Sequence, residues 1–90
     1  MAESKKYRIA GDVVHRTIGS RTLILHSKTG IFYRLNESGT LLWKDLTRRV
    51  RFDYLVNILI EAYALKRAAA EKDVREFISA LAKRKLVVRL

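Results

Sequence analysis

The chain has 90 residues, of which 49% are hydrophobic, a formal net charge of +10 and no cysteine. That length holds one core and one domain, 1–90, with residues 1–10 read as flexible. The missing cysteine excludes disulfides, thiolate metal sites and a cysteine nucleophile.

No run of about 18 apolar residues is present to span a membrane. The N-terminal MAESKKYRIAG carries charges but no apolar stretch of a secretory signal. A cytoplasmic location with no membrane partner is therefore expected. The nineteen Lys and Arg are spread along the chain, with clusters at Lys5-Lys6-Arg8, Arg48-Arg49-Arg51, Lys66-Arg67 and Lys83-Arg84-Lys85. A chain this basic attracts nucleic acid, anionic membrane or acidic peptides.

Val13 to Ile18 and Arg21 to His26 are rich in β-branched and apolar residues, and Gly19-Ser20 between them marks a hairpin. A second turn, Ser27-Lys28-Thr29-Gly30, leads to Ile31 to Leu35. Three short strands joined by tight turns make an antiparallel meander. Asn36 follows at once, and its side-chain oxygen suits an N-cap. Glu37 in the first turn complements the positive end of a helix. Leu41, Leu42, Trp43 and Leu46 then give an apolar face, so a helix is predicted from Glu37 to about Leu46. Gly39 inside it costs roughly 1 kcal/mol relative to Ala, which a close backbone approach would justify.

From Phe52 the spacing is helical again. Leu55, Val56, Leu59, Ile60 and Tyr63 recur at threes and fours, as do Val74, Phe77, Ile78 and Leu81. Local rules alone predict one helix from Phe52 to Arg84, roughly 50 Å long. A domain of this size has a radius of gyration near ~12 Å, so the helix is expected to break near Leu65-Lys66. Leu86 to Leu90 reads as a short terminal strand or a packed tail. The predicted class is α+β and winged-helix-like, a three-stranded antiparallel sheet followed by three helices.

The chemistry-bearing residues do not assemble an active site. His15 and His26 lie on separate candidate strands without metal-ligand spacing, so neither a metal nor another cofactor is expected. The carboxylates sit among basic residues at helical positions and read as ion-pair partners, such as Glu71 with Arg75. No nucleophile-base set or Gly-rich phosphate loop is present, so no enzymatic activity is expected. A winged-helix DNA-binding regulator, with Lys66, Arg67, Lys72 and Arg75 on the recognition helix, ranks lower. The hairpins precede the helices, and that helix lacks Asn and Gln for reading adenine.

The third predicted strand is the better clue. If Ile31 to Leu35 is a sheet edge, its unpaired backbone groups need protection or a guest. Alternation puts Ile31, Tyr33 and Leu35 on one face and Phe32 and Arg34 on the other, where Ile24 of the neighbouring strand is expected to join Phe32.

The stretch TGIFYRLNESGTLLW resembles the signature of the PqqD-like family, also called RiPP recognition elements, in Gly30, Phe32-Tyr33, Leu35-Asn36, Gly39 and Trp43. The second half is similar in Tyr63, Asp73-Val74, Phe77, Leu81 and Leu86, so the likeness runs from about Val13 to Val88. The resemblance implies a non-enzymatic protein that binds the leader segment of a ribosomally made precursor peptide and presents it to a leader peptidase or another tailoring enzyme. It implies that the leader adds as a strand to Ile31, Phe32, Tyr33, Arg34 and Leu35. It also implies a groove wall on the third helix, with Val74, Arg75, Ile78 and Ala82 as candidates. Arg67 stands where the family often has Pro, and Lys85 where it often has Gly. Within the family, lasso-peptide biosynthesis is preferred for so basic a chain. A chaperone of the pyrroloquinoline quinone pathway, serving a radical SAM enzyme, is the alternative. The oligomeric state is not implied.

Overall fold

A computed structural model of the chain describes residues 6–90. Strands β1 (Tyr7–Ile9), β2 (Val13–Ile18), β3 (Arg21–His26) and β4 (Ile31–Leu35) are followed by helices α1 (Glu37–Leu46), α2 (Phe52–Tyr63) and α3 (Arg67–Lys83), and by β5 (Val87–Arg89). The α+β class and the three-stranded sheet followed by three helices are as the sequence predicts. Strands β2, β3 and β4 form that sheet in chain order, antiparallel throughout.

A second, two-stranded sheet joins the chain's ends. β1 runs antiparallel to β5, with Tyr7 opposite Arg89 and Ile9 opposite Val87. The C-terminal segment is thus a strand, and three of the first ten residues are its partner. β1 is not legible in the sequence, because three residues set no period and the partner lies about eighty positions away. The part of the predicted flexible segment at residues 1–5 lies outside the described residues.

The meander turns where small residues allow it. Gly19 and Gly30 have φ of 60° and 73°, the left-handed region that glycine enters without a Cβ clash. The inner face of the sheet meets the helices. Ile24 is fully buried there, in a core with Trp43, Leu46, Leu55, Val56 and Val74. The Thr22 hydroxyl donates to Thr40 Oγ1 at 3.0 Å and lies 3.1 Å from Thr17 Oγ1, so buried hydroxyls tie β2 and β3 to α1.

The register corrects one expectation. Ile24 pairs with Tyr33, and Leu25 pairs with Phe32. Side chains paired across strands share a face, so Leu25 joins Phe32 outside while Ile24 points into the core. The sequence placement failed because it lacked the pairing register, and a shift of one residue reverses every side chain.

The long helical pattern does break where compactness requires. Ala64 takes a left-handed conformation, φ 53°, and α3 starts at Arg67. The Cα radius of gyration is 12.6 Å, which no unbroken helix over both segments would permit. Glu71 pairs with Arg67, N–O 3.8 Å. The Arg75 guanidinium lies 5.6 Å from the centre of the Phe52 ring.

The end of α3 explains the odd Lys85. The Leu86 amide donates to the Leu81 carbonyl at 2.9 Å, and the Lys85 amide to the Ala82 carbonyl at 3.0 Å. That pair of bonds is a Schellman termination, whose turning residue favours glycine. Lys85 holds it with φ 59°, and buried Leu86 anchors it from beyond the turn. Lys85→Gly is expected to raise stability by about 1 kcal/mol, read by urea unfolding; no gain would mean that the left-handed turn carries no strain. Asn36→Ala removes the cap of α1 and is expected to cost about 1 kcal/mol in the same measurement.

Candidate functional site

β4 is the edge of its sheet. The order β2-β3-β4 leaves no strand among the described residues to take its outward backbone groups. Such a row of amides and carbonyls is a ready template for another chain. The edge opens on a hollow of about 900 Å³, lined on one side by Arg34 and Leu35 and on the other by Asp73, Glu76 and Phe77 of α3. Leu42, Leu59 and Leu65 contribute apolar lining, and Asn36 to Gly39 contribute the start of α1. A second hollow of about 580 Å³ adjoins it, sharing Arg21, Arg34, Leu35 and Asn36 and adding Thr22 and Leu23.

The junction between β4 and α1 sets this geometry. Helix α1 starts one residue after β4 ends, with no loop between. Asn36 is extended, and its Oδ1 accepts the Gly39 amide at 2.9 Å. A Cβ on Gly39 would stand 3.3 Å from Asn36 Oδ1, Leu35 Cβ and Phe77 Cε1. The glycine lets the Phe77 ring of α3 close on the first turn of α1. The close backbone approach expected from the sequence is therefore present.

Of the five strand residues, Arg34 and Leu35 line the hollow, and exposure varies along the rest of the strand. Phe32 is 60% exposed and Ile31 is 50% exposed, while Tyr33 and Leu35 are half-buried on the inner side. The Arg84 guanidinium, at the end of α3, lies 5.7 Å from the centre of the Tyr33 ring. That cation–π contact joins the two sides of the site.

On α3 the structure differs from the expected groove wall. Val74 and Ile78 are core residues, 0% and 6% exposed. Arg75 lies over Phe52, and Ala82 is exposed but outside the lining of the hollow. The stripe that faces β4 is Asp73, Phe77 and Arg84, one position round the helix from Val74, Ile78 and Leu81. The physical reason is that the helix has one strongly apolar stripe and the core takes it. The sequence signal was Phe77, a large apolar residue beside that stripe rather than on it.

The charges are divided across the hollow. Arg21 and Arg34 are on the sheet side, and Glu37, Asp73 and Glu76 line the helical side. The Tyr63 hydroxyl donates to Glu37 Oε1 at 3.1 Å. Its pKa is raised above the ordinary phenol value, first by partial loss of water and then by that carboxylate, so it remains a donor. Among the described residues no group of three or more His, Cys, Asp or Glu could hold a metal ion. His15 packs edge-on against Trp43, ring centres 5.4 Å apart, and His26 is buried in the sheet. Among the same residues no helix is long and apolar enough to cross a membrane.

Two solved structures are similar to this chain. TbiB1 in complex with the TbiA(beta) leader peptide is 30% identical, with a TM-score of 0.85, and the match covers 89% of this chain and 93% of that one. A lasso peptide synthetase B1 complexed with the leader peptide is 17% identical, with a TM-score of 0.82 over 91% of this chain and 96% of that one, a likeness of fold. No protein of curated function matches significantly. The family model described as coenzyme PQQ synthesis protein D (PqqD) matches residues 21–87, from the first residue of β3 to the first of β5. With that match over most of its length, the chain belongs to the PqqD family.

Proposed function

We propose that this protein binds the leader segment of a ribosomally made precursor peptide in lasso-peptide biosynthesis and hands it to a leader peptidase or another tailoring enzyme. The protein performs no catalytic step of its own. The observation that carries the reading is the free edge of β4 opening on a hollow whose far wall is α3. The TbiB1 structure, at 30% identity, holds a leader peptide, and the lasso peptide synthetase B1 that shares this fold does too.

The leader extends the sheet as a fourth strand along residues 31–35. Backbone hydrogen bonds to β4 provide affinity without regard to sequence, and alternate side chains supply selectivity. One set turns inward between Leu35 and Phe77, where Leu42, Leu59 and Leu65 offer apolar contact. An acidic residue of the leader meets Arg34 or Arg21, and the net charge of +10 speeds its approach. The Asp73 and Glu76 side of the hollow repels such a residue, so the division of charge fixes which way the leader lies.

Consecutive strand residues send their amides to opposite sides. Of Phe32→Pro and Tyr33→Pro, one therefore strikes the ladder to β3 and the other strikes the free edge. The variant that keeps the thermal unfolding transition is expected to bind the synthetic leader at least about tenfold more weakly than the matching alanine variant, by calorimetric titration. Equal affinities for the proline and alanine variants would rule out strand addition at β4. Phe77→Ala is expected to weaken the leader by about 1–3 kcal/mol, since it removes the apolar wall on α3; an unchanged affinity would move the guest away from α3.

A further inference from the structure

The outer face of the sheet is unusual for a small domain with helices on one side only. In such a sheet the outward positions are expected to be polar. Here the outward residues of β2, β3 and β4 are Val14, Arg16, Ile18, Arg21, Leu23, Leu25, Phe32 and Arg34. Val14, Ile18 and Phe32 are 60%, 67% and 60% exposed, and Leu23 is 39% exposed. The register aligns them in rows. Val14, Leu25 and Phe32 form an apolar row across all three strands, and Leu23 sits between Arg16 and Arg34 in the next. No strand of this sheet contains an Asp or Glu. The core lies wholly on the opposite face, so no element of the described chain covers this one.

A contiguous apolar patch with an arginine rim is the composition of a protein interface. The rim selects its occupant. Arg16 stands clear of the leader's hollow and Arg21 and Arg34 border both surfaces; with no acid among them, they favour a surface that carries carboxylates. A second copy of this chain on the same face would set arginine against arginine. Nucleic acid fits less well, because four of the five apolar residues are aliphatic and offer no ring for a base to stack on. The leader is accounted for at the edge of β4, and its strand would lie beside this face rather than over it.

We propose that the outer face of the β2–β4 sheet is a second docking surface, for the tailoring enzyme that receives the leader. That enzyme contacts it through an apolar patch bordered by Asp and Glu. The proposal rests on the leader-binding reading for the identity of the enzyme, and on the exposed rows for the place. It makes the chain a two-sided adaptor. The edge holds the peptide and the adjacent face holds the enzyme, so one rigid sheet fixes the distance between the two.

The test uses the full-length chain and variants on β2, the strand farthest from β4. Val14→Glu places a carboxylate in the apolar row, and Arg16→Glu reverses a rim charge. Both positions are exposed, so the fold has room for either. The purified leader peptidase or modifying enzyme encoded beside the precursor gene is titrated against each by calorimetry. The leader peptide and a short single-stranded DNA are titrated in parallel, and self-association is followed by sedimentation. The enzyme is expected to bind each variant about tenfold or more weakly while leader affinity stays within about twofold. Enzyme affinity equal to wild type in both variants overturns the docking surface. So does loss confined to DNA binding or to self-association, or failure of the wild-type chain to bind the enzyme. A leader that does not bind wild-type protein overturns the proposed function instead, and the enzyme titration reads the docking surface separately.

Discussion

The site depends on how closely α1 can follow β4. Asn36 ends the strand and caps the helix in one step, with its Oδ1 on the Gly39 amide. Gly39 then offers bare backbone where Phe77 of α3 comes down. A side chain at Gly39, or a loop in place of Asn36, would move the edge strand relative to α3. The spacing between them is the width of the hollow. A cap hydrogen bond and one glycine thus set a functional dimension, although the cap is worth only about 1 kcal/mol and the glycine costs about as much in helix propensity.

Rigidity at that junction bears on affinity. A guest strand loses backbone freedom on binding, and the host must not lose much as well. β4 is held by its ladder to β3, by Tyr33 under Arg84 and by Leu35 against the first turn of α1. The host edge is therefore ordered before any guest arrives. The other side of the same sheet is held equally well and carries a different surface. Apolar rows rimmed by arginine lie outside, and the free backbone lies at the edge. The edge offers free backbone, and the outward residues of β2 and β3 offer apolar side chains.

Much of the fold was legible because short-range rules and long-range packing agreed. The strands β2 to β4 follow from β-branched runs and glycine turns, α1 from Asn36 and its apolar face, and the break before α3 from the size of the domain alone. Two departures from the family pattern also acquire physical sense. Arg67 is the first residue of α3, where proline suits the fixed φ and the missing amide is no loss. Lys85 is the left-handed residue of the terminal turn, where glycine suits best. Features that depend on distant pairing were not legible. β1 finds its partner at the opposite end of the chain, and Ile24 is inside because of a register that no local pattern states. On α3 the same limit hides which stripe of the helix the core takes. Val74 and Ile78 have the apolar character a groove wants, but the core has first claim on them, and Phe77 and Asp73 are left facing β4.

Amide hydrogen exchange reads the outward amides of β4 directly. With saturating leader peptide, the edge-facing amides of residues 31–35 should slow markedly, since only a paired strand hides them from water, and the Phe77 region of α3 should slow with them. Exchange at β4 that stays as fast as in the free protein, with protection elsewhere on the molecule, would contradict the account.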